Sequence, residues 1–304
     1  MKFIFIKYFI QSASNSMPLS AKKLKLQNVT LCIADCANPY LASQAIERSL
    51  RICEFQQVLF FTDKRIDVDS PVEFIQIDRI DSINAYNKFI LKDIGRYIAT
   101  DFALFIQWDG HVLDASAWRP DFMNYDYIGA RWHWFPEGKR VGNGGFSLRS
   151  KRLLEITSAD SFPLLENIPE DAQICIAQHD YLVNNFQIRF APENVAAQFS
   201  YERDQPNFPT FGFHGLFNVW RHYDDAEIAG LMNHLHDRNV KAREFTELFL
   251  AYCQMRKFVP LFCIYRRARK CMSREEMVLQ VDSSLNEIDV SNAIVNMCED
   301  KAFR

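Results

Sequence analysis

Four short segments of this 304-residue chain hold side chains whose types and spacing could do chemistry. The first, FIQWDGHVLD at 105–114, delivers Asp109 from an apolar run into a Gly110 turn. A carboxylate there could hold a hard divalent cation, with His111 and Asp114 as further donors, or could simply close the turn. The second, VGNGGFSLRS at 141–150, sets Gly142, Gly144 and Gly145 within four residues. Such a backbone can approach a ligand closely and take positive φ, or form a tight hairpin. No Gly-Lys-Ser/Thr follows, so it is not a Walker-type phosphate loop. In the third, PEDAQIC at 169–175, Glu170 and Asp171 open an expected helix over Asp171–Asn184. Carboxylates in a first helical turn suit the helix dipole, and one facing a cleft could act as a general base. The fourth, PTFGFHGLFN at 209–218, puts His214 between Gly212 and Gly215, either as a packed ring or as one free to reach a metal.

The elements that must position these residues read as alternating strands and helices. Val29–Ala34, Gln57–Thr62, Val72–Ile77 and Phe102–Gln107 are strand-like, with helices expected over Leu41–Ile52 and Tyr86–Ala99. Near-continuous apolar strands joined by helices predict an α/β fold, a mostly parallel sheet flanked by helices. Ligands of such sheets sit beyond the carboxyl ends of the strands. Asp35, Asp63 and Asp109 all fall at that rim. Beyond Trp220 the strand signals fade, and helices are expected over Asp224–Arg238, Lys241–Arg256 and Ser273–Val281.

Composition narrows the class. The 35 Lys and Arg against 38 Asp and Glu give a net charge of −3, which argues against a general nucleic-acid binder. Eight cysteines without a CxxC pair are too sparse for a disulfide scaffold and read as reduced thiols of a cytoplasmic protein. The leader MKFIFIKYFI is interrupted by Lys7 and is shorter than the about 20 apolar residues a membrane span needs. Residues 1–27 read as a flexible leader, with Met17 as an alternative start.

The four segments, in this order, resemble the GT-A-fold glycosyltransferases, and most closely a bacterial-type family carrying QWDG, VGNGGFSLRS, an acidic pair before a helix, and FGFHG. The resemblance covers about 28–220, leaving 221–304 as a helical extension. It implies a Rossmann-like GT-A sheet and transfer of a sugar from a nucleotide-diphosphate donor, UDP- or GDP-linked, to a glycan or lipid-linked acceptor in polysaccharide biosynthesis. It also implies a Mn²⁺ or Mg²⁺ cofactor held by Asp109 and His214, with Gln107 in place of the first acid of a D-x-D-like segment. Asp171 matches the base of inverting members, and Glu170 a contact to acceptor or donor sugar. Asp35, Asp63, Tyr86, Lys88, Gln107, Trp108, Gly144 and Gly145 match donor-binding positions. In the loop 130–140, Arg131, Trp132, His133 and Trp134 are expected on the acceptor side.

Two alternatives follow from the same residues. One is a non-catalytic nucleotide-sugar- or glycan-binding protein, suggested by Gln107. The other is a nucleotidyltransferase, against which stands the absence of a basic glycine loop near the first strand. Separately, RKFVPLFCIYRRARK at 256–270 has six basic and no acidic residues. It reads as a packed helix with a solvated basic end, or as a peripheral contact with the inner face of a membrane. Pro260 is expected to break any single long helix there.

Overall fold

The computed structural model describes residues 22–66, 68 and 71–302. The expected start at Met17 lies outside the described residues. Eleven strands are named among them, in chain order β1 (Leu24–Ala34), β2 (Cys53–Thr62), β3 (Glu73–Gln76), β4 (Phe102–Ile106), β5 (His111–Val112), β6 (Tyr127–Ile128), β7 (Ala130–Arg131), β8 (Val141–Gly142), β9 (Phe146–Ser150), β10 (Ser200–Tyr201) and β11 (Gly212–Phe213). Six form one sheet in the order β3-β2-β1-β4-β9-β6. The first four run parallel, β9 pairs antiparallel with β4, and β6 pairs antiparallel with β9 and so runs in the direction of the first four. This is the mixed α/β architecture, with a mostly parallel sheet flanked by helices, that the alternating pattern predicts.

β1 begins at Leu24, so Leu24–Leu26, within the expected leader, already pair with β2. Its second half, Val29–Ala34, is buried throughout, as a strand covered on both faces must be. The helix Pro39–Ile52 follows, with proline at its first turn, where a missing N–H costs nothing. Leu41, Ala42, Ala45, Ile46 and Ser49 make its buried stripe. Ser49 Oγ accepts the N–H of Val112 at 3.2 Å, tying this helix to a second, smaller sheet.

That second sheet has the order β5-β11-β10-β7-β8. Its registers do the positioning. Tyr201 on β10 lies beside Phe213 on the parallel β11, so the next residues, Glu202 and His214, emerge side by side. Phe213 also lies beside His111 on the antiparallel β5, which brings the turn before it, Asp109-Gly110, against His214. In the large sheet Ile106 pairs with Phe146, and one step on the N–H of Gln107 donates to the carbonyl of Gly145 at 3.0 Å.

Two expected helices are wound differently from the periodicity reading. The stretch after β3 is α-helical over Ile83–Lys88, then a π turn over Phe89–Asp93 and a 3₁₀ turn over Ile94–Tyr97. The stretch after Pro169 is α-helical over Glu170–Ala172, widens to a π turn over Gln173–Ala177, and resumes at His179–Phe186. Such π turns often accompany functional sites. Gln173, at the start of the second, is buried, and its side chain bonds Leu165 and Ile168 backbone.

The C-terminal region is helical, and it packs against the helix Pro39–Ile52 and the turn Leu216–Arg221. Helices run over Asp225–His234, Asp237–Val240, Arg243–Gln254, Phe258–Arg269, Arg274–Leu285 and Ile288–Ala302. The last has no counterpart in the sequence reading. Pro260 lies in the first turn of Phe258–Arg269 and starts that helix rather than breaking it. Arg267 pairs with Asp237, and Arg269 with Glu299, so part of the basic stretch is used internally. Buried Asn38 joins the two regions: its Nδ2 donates to Asn239 Oδ1 at 3.0 Å, and its Oδ1 accepts the N–H of His236 at 2.7 Å. No helix among the described residues is long and apolar enough to cross a membrane. All eight cysteines are free.

Candidate active site

Two chambers open beyond the carboxyl ends of the parallel strands. One, about 320 Å³, is lined by Asp35, Cys36, Ile80, Ser82, Ile83, Tyr86, Gln107, Trp108, Arg238 and Asn239, among others. Its neighbour, about 180 Å³, is lined by Gln107, Trp108, Asp109, Glu202, His214 and Gly215, and by Asn239, Ala242 and Glu244 of the extension. Gln107, Trp108 and Asn239 belong to both, forming the lip between them. A larger cavity, about 620 Å³ and lined by Lys23, Arg51, Cys53 and Glu54, lies at the opposite ends of β1 and β2. It gathers none of the residues with candidate chemistry.

The small chamber carries an imidazole between two carboxylates. His214 Nε2 lies 3.3 Å from Asp109 Oδ1, and Nδ1 lies 3.4 Å from Glu202 Oε1. Burial alone would lower the histidine pKa, but Asp109 and Glu202 outweigh it and raise it to about 10. With no metal bound, these two carboxylates favour the imidazolium form of the ring. Burial works against the Glu202 carboxylate, yet hydrogen bonds from His214 and Trp132 hold its pKa below the ordinary value. Trp132 Nε1 donates to Glu202 Oε2 at 3.2 Å. Asp109 Oδ2 accepts the N–H of Leu216 at 2.9 Å, which fixes its rotamer. Its Oδ1, like Nδ1 of His214, is buried without an aligned hydrogen bond.

Gln107 points its amide oxygen at the same imidazole, 3.2 Å from Nε2, while its Nε2 donates to Tyr86 OH at 3.0 Å. Asp109 Oδ1, Gln107 Oε1 and His214 Nε2 therefore converge. The 3.3 Å between Asp109 Oδ1 and His214 Nε2 is near the about 3 Å that separates adjacent ligands on a small divalent ion. These atoms fit such an ion, with Asp109 as one ligand and His214 as another once the ion displaces the Nε2 proton. Among the described residues, no group of three His, Cys, Asp or Glu side chains could hold one alone. The remaining donors must come from elsewhere.

The glycine segment acts through missing side chains. A Cβ on Gly145 would overlap the His214 ring, one on Gly144 would overlap Glu170 Oε1, and one on Gly142 would overlap the Trp132 ring. Positive φ, expected at the glycines, occurs instead at Asn143, with φ 74°. Asn143 Oδ1 accepts the N–H of Gly145 at 3.0 Å, a local bond that helps this residue type tolerate the conformation.

Behind Gly144 lies a second charged group. Arg149 and Glu170 form a bidentate pair at 2.7 and 2.9 Å, both buried, with the guanidinium over the Phe105 ring at 4.5 Å. Glu170, expected to touch substrate, has both oxygens occupied by Arg149 and lines neither chamber. Asp171 is half-buried beside it. Its Oδ2 accepts the N–H of Gly144 at 2.7 Å and its Oδ1 the N–H of Ala172 at 2.8 Å. Burial, then the neighbouring Glu170 charge, raise the Asp171 pKa to about 6 against those bonds. Asp171 lines neither chamber. It stands at the Gly144 end of the segment whose Gly145 end touches His214.

Other expected site residues divide. Asp35 and Tyr86 line the large chamber, where burial raises the Asp35 pKa to about 6 although Oδ1 accepts N–H groups from Ala37 and Asn38. Asp63 pairs with Arg79 at 3.8 Å and does not line that chamber, and Lys88 is exposed outside it. His111 is buried against the Phe213 and Tyr223 rings, with its pKa lowered by burial to about 3. Asp114 caps the short turn at Ala115–Ala117. Neither supplies a further donor to the converging atoms. Arg131 and His133 both pair with Asp204, and Trp134 is exposed. Glu202, Arg149, Arg238 and Asn239 went unread in the sequence. Arg149 sits inside the VGNGGFSLRS run, and a buried strand position occupied by arginine signals a carboxylate partner.

A family model described as a protein of unknown function (DUF5672) matches residues 69–214. In structure the chain is similar to a glycosyltransferase involved in the glycosylation of the major capsid of PBCV-1, with 12% identity, a TM-score of 0.37, and coverage of 66% of this chain and 96% of that one. It is also similar to the mannosyltransferase PcManGT from Pyrobaculum calidifontis, solved with GDP-Man and Mn2+, at 10% identity and TM-score 0.38, covering 91% and 87%. A third likeness is to the glycosyltransferase GlyE of Streptococcus pneumoniae TIGR4 in its apo form, at 14% identity and TM-score 0.38, covering 62% and 54%. No curated protein matches.

The buried pair is open to a direct test. Arg149→Met leaves Glu170 buried and uncompensated, which should cost about 3–5 kcal/mol in urea unfolding. The double variant Arg149→Met/Glu170→Met should recover most of that loss. A single variant as stable as wild type would mean that the pair does not hold this wall.

Proposed function

We propose that the chain is a glycosyltransferase that moves a sugar from a nucleotide-diphosphate donor, UDP- or GDP-linked, to an acceptor hydroxyl. The observation that carries this reading is the two-residue segment Gly144–Gly145, which seats the converging donors of Asp109, Gln107 and His214 at one end and the Asp171 carboxylate at the other. The order of the QWDG, VGNGGFSLRS, ED and FGFHG segments adds to it.

Asp109 and His214 would hold a Mn²⁺ or Mg²⁺ ion, with Gln107 adjacent. When bound, such an ion neutralises charge on a departing diphosphate. The large chamber, at about 320 Å³, has room for a nucleoside, and Asp35, Tyr86 and Trp108 line it. An acceptor hydroxyl is too weak an acid to attack unaided. Asp171 accepts its proton from the Gly144 side, and a pKa near 6 leaves the carboxylate ionised at neutral pH and still basic. Glu170 touches no substrate in this scheme and positions Asp171 by holding the helix start to Arg149. One base opposite the leaving group gives a single displacement with inversion. The competing non-catalytic reading draws on Gln107. Binding of a nucleotide sugar without any transfer would favour it.

The test combines binding and turnover. Thermal-shift measurements with UDP, GDP, CDP and dTDP, each with Mn²⁺, Mg²⁺ or EDTA, should give a metal-dependent rise for at least one nucleotide. Asp171→Asn should keep that rise and lose about 10²–10⁴-fold in transfer rate. Wild-type kcat/KM should fall about tenfold per pH unit below about 6, as Asp171 takes up a proton. Near-normal turnover by Asp171→Asn removes it from the base role.

A reversible membrane contact belongs to the same reading, since a lipid-linked acceptor lies at a bilayer surface. Phe258 and Val259 are exposed beside Arg256 and Lys257. Co-sedimentation with anionic vesicles should pellet the wild type and lose the Phe258→Ser/Val259→Ser variant. If the wild type stays in the supernatant, this contact is absent.

A further inference from the structure

The resemblance ends near residue 220 and the family match at 214, yet the large chamber is completed by residues beyond both. Arg238 and Asn239 line it from the extension. Asn239 also lines the small chamber, so this pair sits where the two meet. We infer that Arg238 is a diphosphate clamp of the donor site, delivered by the helical extension, and that a nucleoside diphosphate is bound between it and the Asp109–His214 side. This inference rests on the donor-binding reading above.

Three observations carry it. First, the segment is pinned. Asn38 grips Asn239 and the backbone of His236, and Gln280 Nε2 donates to the carbonyl of Val240 at 3.0 Å. A short helix anchored on both sides of residue 238 holds its position without help from the Arg238 side chain. Second, among the described residues that guanidinium makes no hydrogen bond or ion pair, although other arginines of the extension, Arg267, Arg269 and Arg274, are all engaged. Third, the charge is matched to a need. Of the residues lining the large chamber, Asp35 is the acid and Arg238 the base, and Asp109 and Glu202 line the small one. A diphosphate crossing the lip would meet carboxylates on most sides. A guanidinium presenting paired N–H donors is the side chain suited to offset that repulsion. Its place beside Asn239 puts it next to the lip rather than at the deep end of the nucleoside chamber.

The Arg238 side chain is exposed and bonds none of the described residues, so its replacement leaves their fold intact. The test is isothermal titration of the full chain with UDP, GDP, CDP and dTDP in the presence of Mn²⁺, and with the four nucleosides by competition. Arg238→Ala should weaken the bound diphosphate by about ten- to a hundredfold while nucleoside affinity changes less than about twofold. Arg238→Lys should restore part of the loss, because charge returns without the fork. Unchanged diphosphate affinity in Arg238→Ala overturns the clamp and leaves the donor reading standing. Equal weakening of nucleoside and diphosphate also overturns it, placing Arg238 on the base or ribose. A wild type that binds none of the four diphosphates overturns the donor reading and the clamp with it.

Discussion

The site depends on three positions that carry no side chain. At Gly142, Gly144 and Gly145 the space a Cβ would fill is already taken by Trp132, Glu170 and His214. Interiors pack too densely for these rings and carboxylates to move aside cheaply. The segment is therefore a mould: Trp132 reaches Glu202, Glu202 and Asp109 hold His214, and the N–H of Gly144 fixes Asp171. Removing side chains from one short stretch of backbone brings two charged groups to either end of it.

Electrostatics complete what packing begins. The imidazolium of His214 lets Asp109 and Glu202 come together in a half-buried place where two carboxylates alone would repel. Arg149 pairs with Glu170 in the same way, and burial, followed by the charge of Glu170, raises the pKa of its neighbour Asp171. Two cations, one at a strand end and one within a strand, are thus paired with carboxylates on loops and a short helix. The registers of β10 with β11 and of β11 with β5 decide that these partners meet at all.

Much of this was legible in the sequence. The parallel strands announced themselves as apolar runs, because strands covered on both faces need no polar alternation. Asp109, Asp171, His214 and the glycines stood out because turn residues and charges interrupt those runs. What stayed hidden was long-range. Glu202 lies in YERD, an unremarkable polar stretch, and acquires meaning only when β10 aligns it with His214. Arg238 ends one expected helix and Asn239 falls just past it, and neither drew a reading, since nothing local tells that Asn38, some 200 positions earlier, pins this segment. The π turns at Phe89–Asp93 and Gln173–Ala177 escaped because tertiary packing rather than periodicity sets the winding. Glu170 was read as a chemical group because its sequence neighbour is one. Its burial against Arg149 could not be seen without the β9 register.

The central claim is that Asp171 is a carboxylate made basic by its surroundings and poised beside the Gly144 backbone. A carboxyl-carbon NMR titration of the full chain, with Asp171→Asn to assign the resonance, measures this without substrate. The account predicts a midpoint near pH 6 for Asp171. A midpoint at the ordinary aspartate value of 3.8 would contradict it.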